Sequence, residues 1–339
     1  MKRCFKGVGI ALILLLLQTL TGFSKEPTVY VVTLSTSYAH TGMAIPLSAL
    51  FYQPAAVDSN WNYLGRPNNR IYSLDVHLAS KGKIMVMATH TGVHQSFDFG
   101  KTWKVTTDWR MTEVNNIKIN QQNPDLIYAS SPYGFYKTID GGKHWTKHND
   151  GLESIDAQFV SSIVIDAANL NRLLISTEDG VYISENAGES WERSNLSIRN
   201  IRIIVQHPTN PDVFAVGTDN NGIYFSTDGG KVWAKRDTGV MHAAFYTIIF
   251  DPNDPEIIYA GGFQTGVYKS VDGGKKWKHT FKGLDNLDIH AIAVTPGNSN
   301  LVYAGTMGNG VYVSEDAGKS WQYIGIKNGF VSEIKIIEE

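Results

Sequence analysis

An all-β domain of seven four-stranded antiparallel blades set about an axis, a β-propeller, is predicted by three features of the 339-residue chain. Its tryptophans recur at a near-constant interval, and six of them close the same short turn motif. The two ends of the chain hold complementary parts of one further repeat.

The interval comes first. Trp61, Trp103, Trp145, Trp191, Trp233, Trp277 and Trp321 are spaced by 42, 42, 46, 42, 44 and 44 residues, and only Trp109 falls outside the series. A period in the low forties with strand-like runs inside each unit is that of a propeller blade. The motif is Ser96-Phe97-Asp98-Phe99-Gly100-Lys101-Thr102-Trp103, repeated around Asp140, Asn186, Asp228, Asp272 and Asp316. A Gly-apolar-Tyr run precedes most copies, as in Gly134-Phe135-Tyr136, with His94 standing in for the tyrosine once. A hairpin turn needs glycine where φ is positive, and an Asp or Asn whose short side chain bonds the amides of its own turn. The following tryptophan buries a large apolar face, expected to lie against a neighbouring blade. Around Trp61 the motif is lost, with Pro54, Ala56 and Asp58 in the Ser, Asp and Gly places. Calcium is not expected at these aspartates, because each turn offers one acidic side chain where a site needs about six oxygens.

This Ser/Thr-x-Asp-x-Gly-x-x-Trp pattern resembles the Asp-box (BNR) repeat of the sialidase, xyloglucanase, sortilin and photosystem-assembly-factor propellers. The resemblance covers residues 25–339 and implies box turns between third and fourth strands, counted outward from the centre. It also implies that function sits on the opposite face, which carries the second-to-third turns and the connections between blades. Short β-rich runs such as Leu126–Ser130 and Ile257–Gly261 supply second strands, and alternating runs such as Tyr246–Phe250 and His290–Val294 supply first strands. The chain then enters on a second strand, Val29–Thr33, and leaves on a lone first strand, Phe330–Ile337. Pairing the two closes the ring and removes two sheet edges.

Residues 1–24 read differently. Lys2, Arg3 and Lys6 form a positive head, and Thr21-Gly22-Phe23-Ser24 supplies small residues for a cut after Ser24. The apolar run between them is about ten to thirteen residues, short of the roughly twenty a spanning helix needs. The expectation is an exported protein, periplasmic or secreted, without a stable membrane anchor. Loss of the head takes the formal charge from −2 to −5. The one cysteine, Cys4, lies in that head, so the remaining chain has no thiolate chemistry. A mildly acidic balance argues against a nucleic-acid partner, and nothing in the sequence implies a cofactor or a metal.

Candidate site residues follow from aligning the repeats. One residue per blade falls at the start of the first strand, near the mouth of the channel: Tyr72, Asn115, Ser161, Arg202, Tyr246, His290 and Ser332. Such a set could bind a polar ligand or a peptide, or simply bond to itself and water. The second-to-third connection 34–49 is about sixteen residues against roughly four to eight elsewhere, and carries Tyr38, His40, Met43 and Ile45. Trp109 beside Arg110 suits stacking on a sugar or an interface anchor, with packing over the blade as the alternative.

The enzyme reading has a basis in the sialidase and xyloglucanase resemblance. A sialidase of that kind implies an arginine cluster and a Phe/Tyr-Arg-Ile-Pro signature. Here only eight arginines follow the leader, and Gly65-Arg66-Pro67 and Arg70-Ile71-Tyr72 are poor echoes. A glycosidase needs two carboxylates at a set separation; Glu113, Asp156, Glu178, Asp179, Asp219, Asp285 and Asp288 are available on the face, with no pair marked. The sequence favours a monomeric, non-catalytic module for a protein or glycan partner, with a glycoside hydrolase as the alternative.

Overall fold

The computed structural model describes residues 26–34, 48–64, 69–196, 198–240 and 243–338. The leader 1–24, Arg66 and most of the long connection, with Tyr38, His40, Met43 and Ile45, lie outside the described residues. Seven four-stranded antiparallel sheets form the ring. Blade 1 is Phe330–Ile337, Thr28–Leu34, Ala49–Pro54 and Asn62–Tyr63, so it is shared by the two ends of the chain. Blade 2 is Ile71–Val76, Met85–Thr89, Gly92–Ser96 and Lys104–Val105; blade 3 is Asn116–Ile119, Ile127–Ser131, Gly134–Thr138 and Thr146–Lys147. Blades 4 to 7 begin on Val160–Ile165, Ile201–Gln206, Phe245–Phe250 and Ile289–Thr295, and each continues outward through three more strands. Two turns from second to third strand are tighter than the four to eight residues expected, with residues 90–91 alone linking those strands in blade 2 and 132–133 in blade 3, while 219–222 in blade 5 agrees with it.

Strand burial explains why the core is a set of seams rather than one centre. Both faces of second strands such as Ile127–Ser131 and Phe214–Thr218 are buried, because each blade is covered by a neighbour on either side. The apolar clusters accordingly span blade pairs. Tyr128 and Phe135 of blade 3 pack with Ile163, Ile175 and Trp191 of blade 4. The Trp191 ring meets Phe135 edge-on at 4.8 Å, and its Nε1 donates to the His148 carbonyl of the preceding blade at 3.2 Å. Trp277 does the same to Arg236 O at 3.0 Å, and Trp61, which has lost its motif, still reaches Ile324 O at 2.9 Å. The indole N–H groups of Trp145 and Trp321 are buried with no acceptor among the described residues.

The box turns carry the bonding that their sequence implies. In each of the six, the Ser or Thr hydroxyl donates to the Asp or Asn carbonyl-type oxygen at 2.7–2.9 Å. That oxygen accepts from amides three or four residues on, as from Thr102 N to Asp98 at 2.8 Å and from Ser190 N to Asn186 at 3.0 Å. The glycine has a second reason beyond its φ of 82° at Gly188 and Gly274. A Cβ there would stand 2.6 Å from the Phe135 ring and 2.5 Å from the Phe225 ring of the preceding blade. Each turn is therefore part of a seam as well as of its own hairpin.

Ring closure is the remaining element. Thr28–Leu34 pairs antiparallel with Phe330–Ile337, from Thr28 opposite Ile337 to Leu34 opposite Phe330. Side chains on the channel side of the last strand also reach blade 2. Ser332 Oγ donates to Ile71 O at 3.1 Å, Glu333 accepts from Leu74 N at 2.7 Å, and Lys335 is paired with buried Asp75. Burial opposes the charge on Asp75, but Lys335 and Lys118 outweigh it and hold the carboxyl below its ordinary 3.8. Burial likewise opposes the Lys335 charge, and Asp75 and Glu333 outweigh it, raising the ammonium above 10.5.

Two outcomes are expected. The lowered Asp75 value makes its contribution present above about pH 4 and lost as acid titrates it, while the raised Lys335 value makes its contribution present below about pH 10 and lost in alkali. Thermal melts from pH 2 to 11 should show a plateau between those limits, narrowed at both ends in the paired variant Asp75→Asn/Lys335→Met. Trp191→Ala should cost about 3–5 kcal/mol in denaturant unfolding, whereas Trp109→Ala, with Trp109 84% exposed, should stay within about 0.5 kcal/mol.

Candidate functional site

The seven residues picked by aligning the repeats all line one channel, of about 730 Å³, along the axis. A backbone device aims them. In blades 2, 4, 5, 6 and 7 the pairing of first and second strands slips by one residue at Tyr72, Ser161, Arg202, Tyr246 and His290 respectively. In blade 1 the slip falls at Ser332. A β-bulge leaves the extra residue without a cross-strand partner and turns its side chain away from the regular alternation. Asn115 reaches the same place differently, just ahead of its strand, with its amide donating to Ser130 O at 2.7 Å. The ring of bulges was not legible in the hydrophobic pattern, since each costs only one residue of register.

Three of these groups, Arg202, Tyr246 and His290, gather with Phe330 on one side of the mouth. Tyr246 stacks on His290 at 4.2 Å and 24°, and the edge of His290 meets Phe330 at 4.5 Å. Burial pushes His290 down to about 4, so the ring is neutral near pH 7, and its buried Nε2 has no hydrogen-bond partner among the described residues. Arg202 lies alongside, donating to Asp219 at 2.5 Å, with its Nε also buried and unbonded. Burial, with Asp219 nearby, raises the Tyr246 hydroxyl above its ordinary 10.0, so it is held as a donor. Tyr72 and Asn115 line the opposite side with Ser73 and Asn116.

Around the mouth the same face exposes apolar side chains that sequence reading did not single out: Tyr133, Ile155, Phe263 and Met307. Each sits in a second-to-third turn or a connection between blades, where no periodic pattern marks it. Trp109 belongs to this set at 84% exposed. Arg110 does not join the channel cluster; it is paired with Asp108 at 2.5 Å and lines a groove between blades 2 and 3.

The carboxylates of the face are mostly engaged. Glu113 accepts from the Tyr133 hydroxyl at 3.0 Å, Asp156 is paired with Arg199, and Asp179 with Arg193 at 3.2 Å and the Tyr182 hydroxyl at 2.7 Å. Asp219 holds Arg202, and Asp288 accepts from Gln264 N at 2.6 Å. The box aspartates Asp98, Asp140, Asp228, Asp272 and Asp316 are all shifted down; for Asp316, to about 2, partial burial is outweighed by the Ser320 hydroxyl and amide. A general acid would need the opposite shift. No group of three His, Cys, Asp or Glu able to hold a metal occurs among the described residues. No helix among them is long and apolar enough to cross a membrane.

Comparison with known proteins adds to this geometry. A Sortilin-Vps10 family model (sortilin, neurotensin receptor 3) matches residues 179–264. The Photosystem II assembly lipoprotein Ycf48 of Trichormus variabilis is 24% identical over 177 residues, 49% of each chain. The solved GH74 xyloglucanase of Xanthomonas campestris has a TM-score of 0.68 and 17% identity, over 83% of this chain and 52% of that one. A YCF48 structure bound to a D1 peptide has a TM-score of 0.59 and 14% identity, over 79% of this chain and 90% of that one. The chain is a seven-bladed β-propeller. This propeller spans about half the length of the Ycf48 relatives it matches, and its likeness to the solved structures is one of fold.

The neutral state of His290 is open to measurement. Its imidazole resonances in NMR should not titrate between pH 5.5 and 8. The depressed value means that its neutral packing stabilises the fold above about pH 6.5 and is lost as pH falls through about 4. A midpoint near 6.5 in the intact protein would contradict the buried stack.

Proposed function

We propose that this propeller is an exported, non-catalytic binding module whose face opposite the Asp-box turns takes a protein or glycan partner. The observation that carries the reading is the cluster at the channel mouth. Tyr246, His290 and Arg202 offer aromatic surface, a fixed hydroxyl and a guanidinium around a cavity of about 730 Å³, with Phe330 backing His290. Rigid aromatic and arginine anchors of this kind dominate binding energy at protein interfaces. Exposed Trp109, Tyr133, Phe263 and Met307 extend the apolar surface beyond the mouth. A relative that is itself seen bound to a peptide supports the reading. Export follows from the leader 1–24, with the periplasm or the exterior as the place of action and the monomer as the acting species.

Catalysis is disfavoured because the face carboxylates stand beside cations or hydrogen-bond donors rather than in a desolvated acid–base pair. The xyloglucanase relatives make a glycoside hydrolase the alternative that the test must separate.

The test is a pull-down from the native envelope and secreted fractions with wild type and with Arg202→Ala/Tyr246→Ala, beside a glycosidase screen. A partner retained by the wild type and reduced about tenfold or more by the double variant is expected, with no reducing sugar released from xyloglucan or sialosides. Turnover that disappears in Asp156→Asn or Glu178→Gln would replace the binding reading with the hydrolase.

A further inference from the structure

Between the outer strands of blades 2 and 3 the rim opens into a groove of about 850 Å³. It extends from the Gly141–His144 turn of blade 3 to the connection 106–111 that links the two blades. The channel mouth is not part of it, and Arg110 is the residue of the sequence-derived set that lines it.

Its lining is basic. Lys104, Lys143 and Lys147 line the groove, are exposed, and have no ion pair among the described residues. The places equivalent to Lys147 in blades 4 and 5 hold Arg193 and Lys235, and both are neutralised, by Asp179 at 3.2 Å and Asp237 at 2.7 Å. Two nearby carboxylates are engaged locally. Asp108 is held by the Arg110 guanidinium and amide. Asp140 is taken by the amides of Lys143 and His144 and by the His144 ring. Asp125 stands at the rim beside Gly141. Three lysines thus line one groove of a protein whose formal charge is −2.

The lining also holds polar groups. Gln95, only 3% exposed, lies at the base of the groove. Trp145 also lines the groove, and its Nε1 lacks the acceptor in the preceding blade that Trp191 and Trp277 find. Phe97, 55% exposed, adds an aromatic surface to the same lining.

We propose that this groove is a second binding site, and that its ligand is an acidic glycan, a chain of sugar rings bearing carboxylate or sulfate groups. The lysines meet the acidic groups, the Gln95 amide meets a hydroxyl, and Phe97, with exposed Trp109 in the adjoining connection, offers aromatic faces to the rings. An acidic peptide fits less well. Peptides that join a strand edge depend on a ladder of main-chain bonds, and the edges here, Lys104–Val105 and Thr146–Lys147, are two residues each.

The experiment titrates the purified protein by calorimetry with polygalacturonate and heparin, with dextran as the uncharged control and poly-glutamate as the acidic peptide. Saturable binding of at least one acidic glycan, weakened by added salt, is expected, with none of dextran. Lys104→Glu/Lys147→Glu should weaken it about tenfold or more, while Lys319→Glu at another exposed box should leave it unchanged. Because the two lysines are exposed, the double variant should keep its melting temperature. Absence of binding to both acidic glycans, wild-type affinity in the double variant, or equal affinity for poly-glutamate would overturn the proposal. Loss in Arg202→Ala with the groove variant intact would overturn it too, and would assign the binding to the channel face instead.

Discussion

A ring of blades is stable only if it is closed, and closure here depends on two strands at opposite ends of the chain finding one another. Thr28–Leu34 and Phe330–Ile337 each present a row of backbone donors and acceptors that nothing local can satisfy. Their pairing completes blade 1 and leaves the ring without a gap. The clasp is reinforced from inside the channel, where Ser332, Glu333 and Lys335 grip Ile71, Leu74 and Asp75 of the next blade. The last strand is thus bonded to two blades at once. The channel is consequently a structural seam as well as a surface, and its deeper lining is charged because the clasp is charged.

Between blades the same few parts are reused. An aromatic ring from one blade lies against the box glycine of the next, the box tryptophan returns across the seam, and its indole N–H often ends on a carbonyl of the preceding blade. Repetition of this joint leaves most box aspartates fully occupied with their own turns, and so unavailable for chemistry. The seam between blades 2 and 3, where Trp145 finds no acceptor among the described residues, also holds a groove. Variation in a repeated structure therefore locates sites, because the repeat itself only explains the scaffold.

The channel mouth illustrates how a regular sheet presents irregular side chains. A strand that alternates strictly would send every second residue into a seam. A one-residue bulge at the same level of six blades breaks that alternation and turns Tyr72, Ser161, Arg202, Tyr246, His290 and Ser332 to one opening. Inner strands are therefore shaped by two demands, apolar contact with both neighbours over most of their length and a polar collar at one end.

The sequence by itself determined the number of blades, the strand order, the shared first blade and the structural use of Asp98, Asp140, Asn186, Asp228, Asp272 and Asp316. These are all consequences of local chemistry repeated at a fixed interval, and a period is a property of the chain. It also determined which residue of each repeat stands at the channel, because aligned positions occupy equivalent places in equivalent blades. Only the tertiary structure decided which of those residues touch. Tyr246, His290 and Phe330 stack because blades 6, 7 and 1 are neighbours around the axis, and Arg202 joins them through Asp219 of its own blade. The separation of Arg110 from that cluster, the exposure of Phe263 and Met307, and the three lysines meeting at one seam were likewise decided in space. Side chains from different repeats converge according to the angle between blades, and no spacing along the chain records that angle.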